Sequence, residues 1–113
     1  MASEERRRIK TFVGATARKL RFQLRDPDTG AIVDATPVTA AYVSAQNGDT
    51  FQISSAVLTI EVGTDGWMYF YPTAPEVAAA GDLVANIRLE YTGDLDYGDT
   101  MIIEVATPVD AAI

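Results

Sequence analysis

The apolar residues of this chain recur with a period of two, and turn signals break the pattern about every ten residues, a rhythm that belongs to strands. Leu20, Phe22 and Leu24 alternate with Arg21, Gln23 and Arg25. Leu83, Ala85, Ile87, Leu89 and Tyr91 alternate with Val84, Asn86, Arg88 and Glu90. Successive side chains of a strand point to opposite faces, so each run has one face for a core and one for its surroundings. Shorter runs fill the rest: Ile9 to Val13, Val38 to Ala45, Phe51 to Ile53, Ala56 to Val62, Trp67 to Tyr71 and Met101 to Val105. The count is seven or eight strands, and the spacing predicts an all-β antiparallel sandwich.

The punctuation agrees. Asp26-Pro-Asp-Thr-Gly30 is a turn, with Pro27 suited to its second position and Gly30 to a positive φ. Pro37 bars a long central strand at that point. Asn47-Gly48 marks a hairpin, and Gly63-Thr-Asp-Gly66 marks another reversal. Thr73-Ala-Pro-Glu76 has capping-box spacing, so one short loop helix is expected before Gly81. Thr92 to Thr100 reads as an acidic loop.

The 113 residues carry a net charge of −7, but the charges are divided along the chain. Eight of the nine basic residues lie within residues 1–25, opposed there only by Glu4 and Glu5; residues 26–113 hold fourteen acids and Arg88. The division predicts a basic N-terminal arm over residues 1–15 and a β domain over residues 16–113. Arg6, Arg7, Arg8 and Lys10, with Phe12, are candidate partner contacts on the arm. Arg21 and Arg25 form a cationic strand face. An acidic protein surface suits these cations better than nucleic acid does. The acidic body repels a polyanion, and the aromatics that single-strand binders interleave with their basic residues are missing.

The chain has neither Cys nor His. Thiolate or imidazole catalysis and the metal sites built on those ligands are excluded. Ser3, Ser44, Ser54 and Ser55 have no His to activate them, and no Gly-x-Ser-x-Gly elbow or phosphate loop is present. Asp26, Asp28 and Asp34 near one turn and Asp94, Asp96 and Asp99 in one loop are the carboxylates that acid–base chemistry could pair. Within them Asp26-x-Asp28-x-Gly30 and Asp94-x-Asp96-x-Gly98 loosely resemble calcium loops but lack the third ligand before Gly and the distal Glu of an EF-hand. Asp and Gly are also ordinary turn residues. No enzyme, metal or cofactor is therefore expected. No apolar run approaches the ~20 residues of a membrane span. Trp67 and Tyr69, with Tyr71, share one strand face, and Met68 and Phe70 the other. The aromatic face has three readings: core, protein interface or sugar platform.

From Arg18 to Val105 the chain resembles the immunoglobulin-like N-terminal domain of the baseplate upper protein family of tailed bacteriophages. The resemblance rests on Leu20-Arg-Phe-Gln-Leu-Arg25, Asp28-Thr-Gly-Ala-Ile-Val-Asp34 and the strand Val38 to Val43. It continues in Asp65-Gly-Trp-Met-Tyr-Phe70 before the short helix, Ala80-Gly-Asp-Leu-Val-Ala-Asn-Ile87 and Ile102-Ile-Glu-Val105. The basic leader has no counterpart in that family.

The resemblance implies an immunoglobulin-like sandwich in a virion, assembled in the host cytoplasm. It also implies a non-enzymatic, multi-copy adaptor that docks on tail, baseplate or fibre components. Its partners would be other virion structural proteins and further copies of itself, with no nucleic acid and no membrane. A capsid decoration protein on the phage head and a carbohydrate-binding module are the alternatives.

Overall fold

In the computed structural model residues 7–109 are described, and they fold as eight strands. These are β1 (Arg8–Phe12), β2 (Leu20–Gln23), β3 (Ala40–Asn47), β4 (Thr50–Val62), β5 (Trp67–Phe70), β6 (Gly81–Tyr91), β7 (Asp94–Tyr97) and β8 (Met101–Ala106). The order across the sheet is β1-β8-β6-β3-β4-β5-β2, with β7 also paired to β6. The fold is all-β, as the alternation predicts.

The hydrogen-bonded path is continuous, nearer to an opened barrel than to two separately bonded sheets. β4 is the reason. Its first part pairs with β3 and its last part with β5, so one strand serves both halves. The change of partner follows two register slips against β3, and Ser55 there has a φ of 51°, the one positive φ outside glycine among the described residues. Bulges of this kind bend and twist a strand. The sequence showed two runs, 51–53 and 56–62, because this irregularity breaks the alternation.

The core follows the alternation. Leu20, Phe22 and Leu24 of the β2 segment are buried, and so are Leu83, Ala85, Ile87 and Leu89 of β6. Met68 and Phe70 of β5 face the same interior, where Phe70 stacks on Phe22 with ring centroids 6.1 Å apart. At ~1.5–3 kcal/mol for each large apolar side chain fully buried, this interior is the main term holding the fold.

Four expectations are corrected. The segment assigned to a free arm is a strand of this chain's own sheet: β1 runs parallel to β8, with Arg8 opposite Ile102 and Phe12 opposite Ala106. The sheet is therefore mixed, and not purely antiparallel. The expected loop helix is a single 3₁₀ turn, Pro75–Val77. Glu76 reaches back to accept the Thr73 N–H, but Thr73 caps nothing. The acidic loop contains β7, which forms a hairpin with β6 through Thr92-Gly93.

Candidate interaction surface

The β2 and β5 strands place their polar and aromatic residues outward because their partners at alternate positions fill the core. Arg21 lies opposite Tyr69, and Gln23 opposite Trp67. Thr59 of β4 flanks Tyr69 on the other side. Trp67 and Tyr69 are half-buried and Tyr71 is exposed, so the aromatic face looks away from the core.

That face is a ladder of cations on rings. The Arg21 guanidinium stands 4.3 Å from the Trp67 ring centroid, and the Lys19 ammonium 4.4 Å from that of Tyr69. Glu61 accepts hydrogen bonds from both, at 3.0 Å from Lys19 Nζ and 2.8 Å from Arg21 Nε. Its hydrogen bonds, first from Lys19 and then from Arg21, hold the Glu61 carboxyl below the ordinary carboxylate range. The same Glu61 bond raises Lys19. Lys19 and Glu61 were not singled out in the sequence. The signal for Glu61 was its place on the outward parity of β4, but its partners lie on β2 and just before it, 40 and 42 positions away, at a distance that no local pattern reveals.

The basic leader behaves differently from a docking arm. Arg6 lies outside the described residues. Arg7 pairs with Asp99 and also donates to the Gln23 carbonyl oxygen at 2.7 Å. Arg8 pairs with Asp82 at 3.0 Å and with Glu104 at 3.5 Å. Lys10 is exposed and lies 5.4 Å from the centroid of the Phe12 ring, which Arg18 approaches at 5.7 Å. Arg25 is half-buried and bonds to the Gln23 side chain and, at 3.4 Å, to the Gly30 carbonyl. Much of the basic segment is thus neutralised by the acidic body of the same molecule. Arg21, Trp67 and Tyr69 come together on one surface; Arg7, Arg8, Lys10 and Phe12 lie on or beside the β1 edge.

The acidic turns have structural uses. Asp26 accepts from the N–H groups of Asp28 and Thr29, and Asp34 from that of Thr36. Among the described residues no group of three or more acidic side chains converges as a metal site. No helix among them is long and apolar enough to cross a membrane. No protein-family model and no curated protein matches the chain.

Proposed function

We propose that this protein is a non-catalytic, multi-copy structural component of a bacteriophage particle, an adaptor that docks on tail, baseplate or fibre components. The observation that carries the reading is the outward cation–aromatic ladder. Lys19 and Arg21 outnumber Glu61 on a face that also presents Trp67 and Tyr69, in a chain whose net charge is −7. Aromatic and Arg side chains are the residues most often found at the energetic centre of protein interfaces. A local positive face on an acidic molecule fits an acidic partner and fixes its register. The resemblance of Arg18 to Val105 to the baseplate family supports the same reading. A sugar platform is favoured less, because a cation already stands on a ring face of both Trp67 and Tyr69.

Quantitative mass spectrometry of purified particles, from a lysate of cells carrying the gene, tests this function. The protein should be present at many copies per particle, and its absence from clean particles overturns the proposal. The double variant Lys19→Glu, Arg21→Glu should stay folded and be lost from the particles. Immunogold labelling assigns it to tail or head, the latter being the decoration alternative.

A further inference from the structure

The second outward surface of the fold is formed by β4, β3, β6, β8, β1 and β7, and its character is unlike that of the rest. An antiparallel sheet with one face in water ordinarily turns polar residues outward. Here the pairing register aligns apolar and aromatic side chains across the strands. Phe51, Gln46, Val84 and Ile102 form one row over β4, β3, β6 and β8. Val57, Tyr42, Arg88 and Tyr97 form another over β4, β3, β6 and β7. Leu95 follows beside Glu90. Of the nine most exposed large apolar side chains among the described residues, five are on this face: Phe51, Val57, Val84, Leu95 and Tyr97. Val57 is 69% exposed and Leu95 62%. Concentrated apolar exposure of this kind marks an association site.

We infer that this face is a self-association surface, and that its occupant is the same face of a second copy of this chain. The inference rests on the multi-copy reading above and assigns it a surface. Charge selects the occupant. The charged strand residues on the face are Arg8, Lys10 and Arg88 against Asp82, Glu90 and Glu104, with Arg18 beside Phe12 at its rim, so it is close to neutral on a molecule of net charge −7. Two copies that approach through their acidic surfaces bring like charges into contact; through this face only the longer-range repulsion of the two net charges remains, and salt screens that. Near-equal numbers of each sign also suit a two-fold contact, in which a patch must complement itself.

Two of the polar groups at the centre, Ser44 and Asn86, are already satisfied within each molecule, whereas the Arg88 Nε is buried without a hydrogen-bond partner. Ser44 Oγ accepts the Ser55 N–H, Asn86 Nδ2 donates to the Gly98 carbonyl, and the Arg88 guanidinium lies 4.5 Å from the Tyr42 ring centroid. Covering Ser44 and Asn86 costs little hydrogen bonding, whereas an unpaired buried polar group is expensive. The size is also adequate. Five strands at ~4.8 Å spacing and about seven residues at ~3.4 Å give a face of roughly 570 Å² in projection. Its rough accessible surface approaches the ~800 Å² per partner of a standard stable interface.

Sedimentation velocity of the full chain up to ~0.5 mM tests the inference. A species near 24 kDa, twice the 12.2 kDa chain, is expected. Added salt should strengthen it, because screening relieves repulsion between acidic copies. The variant Val57→Lys, Val84→Lys should raise the dissociation constant about a hundredfold or more. Tyr71→Lys, on the other surface, should leave it unchanged. Circular dichroism confirms that both variants are folded. A wild-type chain that stays monomeric throughout the range overturns the inference, and so does a folded double-Lys variant that associates normally. Presence in or absence from phage particles does not move these readings, so the two proposals fail separately.

Discussion

Arg7 and Asp99, 92 positions apart, meet in a two-bonded ion pair, with Nε 3.1 Å from Oδ2 and Nη2 2.6 Å from Oδ1. The same guanidinium donates to the Gln23 carbonyl oxygen, and the Asp99 N–H donates to the Arg25 carbonyl. One pair thus ties the β1 entry, the end of β2 and the β7–β8 junction together where the sheet nearly closes.

Removing that tie should be felt. Arg7→Ala is expected to cost about 1–2 kcal/mol, since hydrogen bonds to charged groups contribute ~1.5–3 kcal/mol and this pair is partly exposed. Urea denaturation of Arg7→Ala, Asp99→Ala and the double variant measures the coupling. Strictly additive single effects would remove the pair from the account.

Gly66 and Gly93 separate backbone strain from steric clash. Gly66 has a φ of 72°, and a Cβ there would lie 2.6 Å from the Val33 carbonyl oxygen; Gly93 has a φ of 83° with open space around it. Gly93→Ala should cost about 1–2 kcal/mol, the left-handed backbone penalty alone. Gly66→Ala should cost clearly more, because backbone must move. Thermal melts of the two variants order them, and equal losses would contradict the geometry.

Acid should weaken the fold through Glu61, Asp26 and Asp34. All three carboxyls are lowered: Glu61 by its bonds from Lys19 and Arg21, Asp26 chiefly by the Asp28 N–H, and Asp34 by the Thr36 side chain and then its N–H. A carboxyl whose folded value is depressed contributes stability above its unfolded value and loses it as pH falls through the folded one. The urea midpoint should therefore drop as pH is lowered from neutrality through and below the ordinary values of 4.5 for Glu and 3.8 for Asp. Glu61→Gln should flatten that drop. An unchanged profile would mean that the ladder contributes nothing to stability.

Phe22 is fully buried against Phe70. Phe22→Ala should cost about 3–5 kcal/mol, a large part of the ~5–15 kcal/mol that holds a typical domain. A calorimetric scan with an unshifted midpoint would be incompatible with the packing described.

The core was legible because period-two alternation is local: each of Leu20, Phe22, Leu24, Leu83, Ala85, Ile87 and Leu89 announced its burial in its own strand. The outward side of β2 and β5 was legible in the same way once Met68 and Phe70 took the interior. Pairing was not legible. Nothing in Arg8 to Phe12 specifies β8 as its neighbour, since the match depends on residues at the other end of the sheet. β7 was hidden because its alternation, Asp94-Leu-Asp-Tyr97, lasts only four residues between Gly93 and Gly98 and reads as part of an acidic turn, and none of its side chains enters the core. The near-neutral face was hidden for a different reason. Its rows run across strands, so Val57 and Tyr97 become neighbours only through Tyr42 and Arg88.

The parallel docking of β1 on β8 also orders events in time. Arg8 is synthesised 94 residues before Ile102, the residue it pairs with. On a ribosome that adds ~5–20 residues per second, β1 waits seconds for its partner strand to exist. The sheet cannot be completed during elongation from its first strand onward, and the seam between β1 and β8 is sealed after translation of the last strand. Until then the apolar side of β1 and the unpaired edge of the growing sheet stand open together, and any other copy translated nearby meets them in that state.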